Sequence, residues 1–267
     1  MKFAVSNIAW PVAEDFKAYD LLGGLGVHHL EIAPPRFWPD LAKADEKDVR
    51  KRAEEITERG LKVCAFQALL FGKPELQVFG EAGGKACLDY LKAICQVAGW
   101  MGAGAMVFGS PKNRLRGTLS RAEATKRAVD FFRYVGDASA ASRTVMCVEP
   151  NPPEYGGDFL LTVEEAAELV YLVDSPGIKL NLDMGELIMN GADVGRSITD
   201  YLPLAGHFHA SEPMLAPFDP EREAHRQAAE ALKDADYQGV VSLEMKTPSQ
   251  GLPAVLEAAR NMLSAYG

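Results

Sequence analysis

Eight short apolar runs alternate with eight amphipathic stretches from one end of this 267-residue chain to the other, which leaves few folds open. The runs fall at 2–9, 28–33, 62–68, 105–110, 145–149, 178–183, 205–210 and 239–245. The stretches fall at about 13–25, 46–59, 81–100, 119–141, 163–173, 193–200, 220–235 and 253–265. Short β-branched or apolar segments read as buried strands, and apolar residues recurring every three or four positions read as helices. Helix ends are marked as well. Ser120 with Glu123 and Thr162 with Glu165 spell capping boxes, and Asp219-Pro220 reads as a cap followed by a first-turn proline. Gly60 stops the second helix just before the run that begins at Leu61. Eight strand–helix units without a long linker predict one (β/α)8 barrel domain over residues 1–267. An open doubly wound sheet would want a glycine-rich turn after the first strand, and Ser6-Asn-Ile-Ala-Trp-Pro has none.

Composition narrows the class of partner. With 28 Lys and Arg against 37 Asp and Glu, the net charge is −9. A field of that sign repels phosphodiester backbones and anionic membrane surfaces, so neither nucleic acid nor a membrane is expected as a partner. No apolar run approaches the roughly 20 residues of a membrane helix, and the N-terminal residues lack the pattern of a secretory signal. The four cysteines form no CxxC pair, which reads as reduced, buried thiols and a cytoplasmic location.

The last inward positions of four consecutive runs carry chemistry. Val145-Met-Cys-Val-Glu149, Ile178-Lys-Leu-Asn-Leu-Asp183, Gly206-His-Phe-His209 and Val240-Val-Ser-Leu-Glu244 end on groups spaced 34, 26 and 35 residues apart. Side chains alternate along a strand, so Glu149 shares a face with Cys147, Asp183 with Asn181, His209 with His207, and Glu244 with Ser242. Val148, Leu182, Phe208 and Leu243 are left to face the helices. If the strands are parallel neighbours, the four groups converge at their carboxyl ends, where such barrels hold their sites. Three carboxylates and one imidazole form a hard oxygen-rich set. It suits one divalent ion, Mn2+ first and Mg2+ or Co2+ next, better than structural Zn2+.

The order Glu…Asp…His…Glu on consecutive strands resembles the xylose-isomerase-like barrels, specifically the sugar phosphate isomerase/epimerase group. That group contains ketose 3-epimerases, hydroxypyruvate isomerases and inosose dehydratases. The resemblance runs from Gly26-Val-His-His-Leu-Glu31 to the Glu244 strand. It implies metal ligation by Glu149, Asp183, His209 and Glu244, and a substrate-facing acid at Glu31. It also implies an acid/base pair at Glu149 and Glu244 acting on a small keto-sugar or polyol. A chelated hydroxyl–carbonyl pair has an acidified C–H, and an enediolate follows its loss. Two departures from the usual pattern stand out. Glu186 occupies the place three residues after the Asp ligand where many relatives have histidine. Ser211 and Glu212 follow the His ligand, and the next arginine is Arg222.

Further candidates surround this set. His207 lies one inward layer below His209, as a supporting or substrate contact. His29 divides between pocket and core, while His225 reads as structural. Gln67, near a strand end, can reach a substrate hydroxyl. In the loop Phe108-Gly-Ser-Pro-Lys-Asn-Arg-Leu-Arg116, Lys112 and Arg114 are candidates for an anionic substrate group, against the alternative of a solvated basic loop. Trp10 and Phe37-Trp38 divide between sugar stacking and a lid or dimer contact, and 69–79 reads as a closing lid. Isomerase or epimerase is the leading expectation. A lyase of the inosose dehydratase type and a metal-binding barrel without catalysis stay open. An abasic-site endonuclease is disfavoured by only five histidines and the negative charge. A homo-oligomer is compatible with all of these.

Overall fold

The computed structural model describes residues 1–267. Eight strands close into a parallel barrel in sequential order: β1 (Lys2–Ser6), β2 (His29–Ile32), β3 (Lys62–Phe66), β4 (Ala105–Phe108), β5 (Val145–Val148), β6 (Ile178–Asp183), β7 (Ala205–Ser211) and β8 (Val240–Glu244). The (β/α)8 expectation holds. The wrapping helices are α1 (Asp15–Gly23), α2 (Glu46–Thr57), α3 (Glu81–Met101), α4 (Arg121–Ala141), α5 (Val163–Val173), α6 (Met184–Met189), α7 (Val194–Tyr201), α8 (Glu223–Asp234) and α9 (Leu252–Tyr266). No helix is long and apolar enough to cross a membrane.

Strand residues alternate as expected. Val148, Leu182, Phe208 and Leu243 are at most 1% exposed and join the layer between sheet and helices. Inside the barrel, Ala65, Ala105 and Cys147 form a small apolar plug. Beside it lie the buried polar residues Glu31, Asn181, His207 and Ser242. The four cysteines are free, three of them buried.

Local signals fared unevenly. Ser120 and Glu123 form the full reciprocal capping box. At α5, Thr162 accepts from the Glu165 N–H, but the Glu165 carboxylate takes the Leu161 N–H instead of that of Thr162. Gly60 has φ +81°, a left-handed turn that glycine adopts without steric penalty. Asp219-Pro220 does not start a helix. Asp219 accepts from the Glu221 N–H, and α8 begins at Glu223 after Arg222. The expected first strand also stops short, at Ser6, where Asn7–Ala9 turn into a 3-10 helix.

Candidate metal centre

Glu149, Asp183, His209 and Glu244 meet at the carboxyl ends of β5 to β8. One ligand atom from each lies within 4.8 Å of the others. In the ladder, Asp183 pairs with His209 and Ser211 with Glu244, so the shear of the barrel lifts Glu244 one inward position above His209. All four are buried. The His209 Nδ1 lies 3.2 Å from Glu149, 3.4 Å from Asp183 and 3.2 Å from Glu244. Three carboxylates around one imidazole, with no lysine or arginine paired to them, carry net negative charge in a water-poor site. A buried charge excess of this kind calls for a cation. Burial, followed by repulsion from Glu149 and Asp183, pushes Glu244 up to about 7 against the pull of His209. Burial alone would lower His209, yet Glu31 and Glu244 outweigh it and raise it well above the usual imidazole range. The oxygen-rich donor set and its tight convergence fit a divalent ion.

A second layer fixes the first. Glu31 is fully buried; one carboxylate oxygen lies 3.0 Å from His209 Nε2 and the other 3.3 Å from His207 Nε2. The Ser242 hydroxyl donates to it as well. The two imidazoles hold its carboxyl below the usual range despite full burial. With Glu31 placed to accept the Nε2–H, His209 would turn its Nδ1 to a bound cation once that nitrogen gives up its proton, the usual arrangement behind a metal-bound histidine. This favours the supporting reading of His207 over substrate contact, and departs from the expectation that Glu31 faces substrate. Both lie beneath the site, engaged with each other.

Each carboxylate is similarly oriented. Asn181 donates to Glu149 at 2.8 Å, and Asn151 donates to its other oxygen at 3.2 Å. Asp183 caps α6, one oxygen accepting the Glu186 N–H at 2.7 Å and the other the Ser211 hydroxyl at 2.7 Å. A Cβ on Gly109 would stand 2.4 Å from the Glu149 carboxylate, so only glycine leaves that oxygen its place. Asn151 and Gly109 were not picked out from the sequence, and Ser211 was noted only as a departure from the family pattern. The run Asp183-Met-Gly-Glu186 carries the spacing of a capping box and could have revealed α6 and the locked Asp183.

The remaining candidates separate cleanly. Arg114 is fully buried and holds no substrate. It donates to the carbonyls of Phe108, Gly109, Phe159 and Leu160 and, at 2.9 Å, to Asn151. Burial pulls it down to about 10, opposed by Glu149 and Glu165, so it stays charged at neutral pH. The loop after β4 is therefore neither an anion clamp nor a solvated basic loop at this position, because the guanidinium is spent on backbone carbonyls, those of Gly109 and Phe159 having no backbone donor of their own. Lys112 is exposed and lines a 340 Å³ cavity at the mouth with Lys73, Ser110 and Tyr155. Gln67 is buried and donates to Ser6. Glu186 is 3% exposed; Asn190 donates to one of its oxygens, and the other has no partner. Burial, with Asp183 adding repulsion, pushes Glu186 up to about 8.

His225 is structural as read, linking Glu212 at 3.0 Å to the Tyr266 hydroxyl at 2.7 Å. Glu212 is also paired with Arg222 at 2.6 Å, which ties the loop after β7 to α8 and α9. His29 sits near the opposite end of β2, paired with Ala4 and Lys62, away from the site. Trp10 is a core residue whose indole donates to Asp15. Trp38 donates to Asp48 and packs edge-on against Phe37.

Comparison with known proteins places the chain. Residues 20–266 match the family described as xylose isomerase-like TIM barrel. A putative hydroxypyruvate isomerase of Xenopus laevis is 27% identical over 125 residues, which is 44% of this chain and 44% of that protein. The matched segment thus spans under half the length of that relative. D-psicose 3-epimerase, solved in the presence of D-fructose, superposes with a TM-score of 0.82 over 100% of both chains at 17% identity. The IOLI protein, solved with a zinc atom bound, superposes with a TM-score of 0.72 at 18% identity over 99% of this chain and 96% of its own. Spanning nearly every residue from the first helix to the last, the match makes this chain a member of the xylose isomerase-like TIM barrel family.

Proposed function

We propose that the protein is a divalent-metal-dependent isomerase or epimerase of a small keto-sugar or polyol, with Glu149 and Glu244 as the acid/base pair. The observation that carries the reading is the convergence of Glu149, Asp183, His209 and Glu244 on one point at the strand ends. The family, the hydroxypyruvate isomerase relative and the psicose epimerase neighbour support the class.

Glu149, Asp183 and Glu244 would hold the ion through oxygen and His209 through Nδ1. A divalent ion there supplies Lewis-acid stabilisation of negative charge on substrate oxygens, and Mn2+ is the expected occupant, with Mg2+ or Co2+ as alternatives. Glu149 directly follows β5 and Glu244 ends β8, outside Asp183 and His209 in barrel order. They therefore reach the substrate from two sides, one removing a proton from carbon while the other returns one. Burial already raises Glu244 toward neutrality, where a carboxylate becomes a useful base. Gln67 and Lys112 are the substrate contacts proposed at the mouth.

A lyase reading has one observation of its own. Glu186, buried and pushed up to about 8, is neutral at pH 7 and keeps an oxygen without a partner. A neutral carboxylic acid can hand a proton to a departing hydroxyl.

The test is turnover of candidate keto-sugars in deuterated water, followed by NMR. An isomerase or epimerase places deuterium on the carbon next to the carbonyl and conserves the formula, whereas a dehydratase loses water. A Glu244→Gln protein that keeps metal and full turnover would sink the acid/base assignment.

A further inference from the structure

Opposite the metal centre, above the carboxyl ends of β1 to β3, the mouth contains a 480 Å³ cavity. It is lined by Ile8, Ala33, Pro35, Arg36, Ala68, Phe71 and Leu215. Its volume lies within the range of small-molecule sites. Its chemistry does not suit a fully hydroxylated sugar, because the walls offer few polar groups. Arg36 is the one charged member, and its guanidinium is already engaged. It donates to the Trp10 carbonyl at 2.8 Å and to the Asp15 carboxylate at 2.7 Å, and its Nε is buried without a partner. Apart from that one Arg36 N–H, the side chains around the cavity give an added hydroxyl nothing to replace the water it would lose.

The shape is also held at a cost. Ala68 and Leu215 have φ of 53° and 56°, a left-handed backbone costing non-glycine residues about 1 kcal/mol or more each. Neighbouring bonds fix both turns: Phe71 donates its N–H to the Ala68 carbonyl, and Lys246 donates to that of Leu215. Phe71 itself is 78% exposed at the rim, an aromatic ring left in water at the entrance to an apolar hollow. Ala68 directly follows Gln67, and Leu215 lies on the loop after β7, so the cavity shares its loops with the catalytic face.

We infer that this cavity is a specificity subsite for an apolar alkyl or aryl substituent of the substrate. The substrate class is then a keto-sugar or polyol bearing a non-hydroxylated group, such as a glycoside, held with its oxygens toward Glu149 and Glu244 and its apolar group toward Ile8 and Phe71. The inference rests on the reading of the metal centre as a sugar site.

Saturation-transfer NMR on the purified protein separates the two ideas with three probes: benzyl alcohol, methyl glucoside and benzyl glucoside. The subsite predicts saturation of the benzyl ring protons, and benzyl glucoside should bind about tenfold or more tighter than methyl glucoside, the gain expected from burying a ring. In a Phe71→Ala/Ile8→Ala variant of unchanged melting temperature, that preference should shrink roughly five- to tenfold while methyl glucoside binding stays the same. Ring saturation by benzyl alcohol that the double variant weakens, with no methyl glucoside signal, would uphold the apolar subsite and count against the sugar reading. Absent ring saturation, or saturation and preference unchanged in the variant, would overturn the subsite.

Discussion

The two halves of the barrel mouth differ in how the chain shapes them. Over β5 to β8, the groups that matter sit on the strands themselves or directly after them, and hydrogen bonds aim each one. Over β1 to β3, the corresponding strand ends carry Ser6, Ile32 and Phe66, and loop residues shape the cavity above them. The first half is a rigid, charged platform; the second is an apolar hollow held by strained turns. Strand-borne groups are placed by the sheet's own ladder and need only short supports, whereas the opposite wall depends on loop conformation. Chemistry shared across a family fits the former, and substrate choice fits the latter.

The largest effect separating the halves should be on turnover. Glu149→Gln and Glu244→Gln should each lower turnover by about 10²- to 10⁴-fold, the contribution of a positioned base. Phe71→Ala should change the Michaelis constant far more than turnover. Steady-state kinetics on a common substrate checks both, and equal losses in turnover from the two halves would break the contrast.

Stability comes next. Arg114→Ala would leave the Phe159 and Gly109 carbonyls and the Asn151 side-chain oxygen without their guanidinium donor. A loss of about 3–5 kcal/mol is expected in urea unfolding. Lys112→Ala, two residues away but exposed, should shift the melting temperature by only about a degree. A stable Arg114→Ala protein would return that residue to the list of surface cations.

A smaller effect concerns pH. Burial raises the Glu186 carboxyl in the folded protein to about 8 from the ordinary 4.5 of a glutamate. The folded state therefore binds the proton more tightly, and its advantage is complete below the unfolded value. That advantage falls as pH rises through the window between 4.5 and about 8. In chelator-treated protein, Glu186→Gln should flatten this fall and melt a few degrees above wild type at pH 8, with little difference at pH 4.5. Parallel melting curves across that window would show that the Glu186 carboxyl is not held neutral.

The sequence made the acidic half legible because a two-residue period leaves little freedom. Once the apolar positions Val148, Leu182, Phe208 and Leu243 are assigned outward, their neighbours must point inward. Closure of the barrel then brings four strand ends together. The same logic stopped at the layer below. Period alone puts Glu31 and His207 inside the barrel, but the shear that slides β7 past β8 decides whether they face the mouth or each other. Arg114 was misjudged because nothing in a Pro-Lys-Asn-Arg loop says which basic side chain folds inward; that depends on contacts such as the Phe159 carbonyl, 45 residues away. The apolar cavity was not foreseen, since its walls come from loops after four different strands.

The central claim is tested most directly by soaking crystals in Mn2+ and measuring anomalous scattering. The account predicts one strong peak, within about 2.0–2.4 Å of oxygens from Glu149, Asp183 and Glu244 and of His209 Nδ1, with Glu31 still bonded to His209 Nε2. A peak between Glu31, His207 and His209 instead, or four side chains pointing apart with no peak among them, would contradict it.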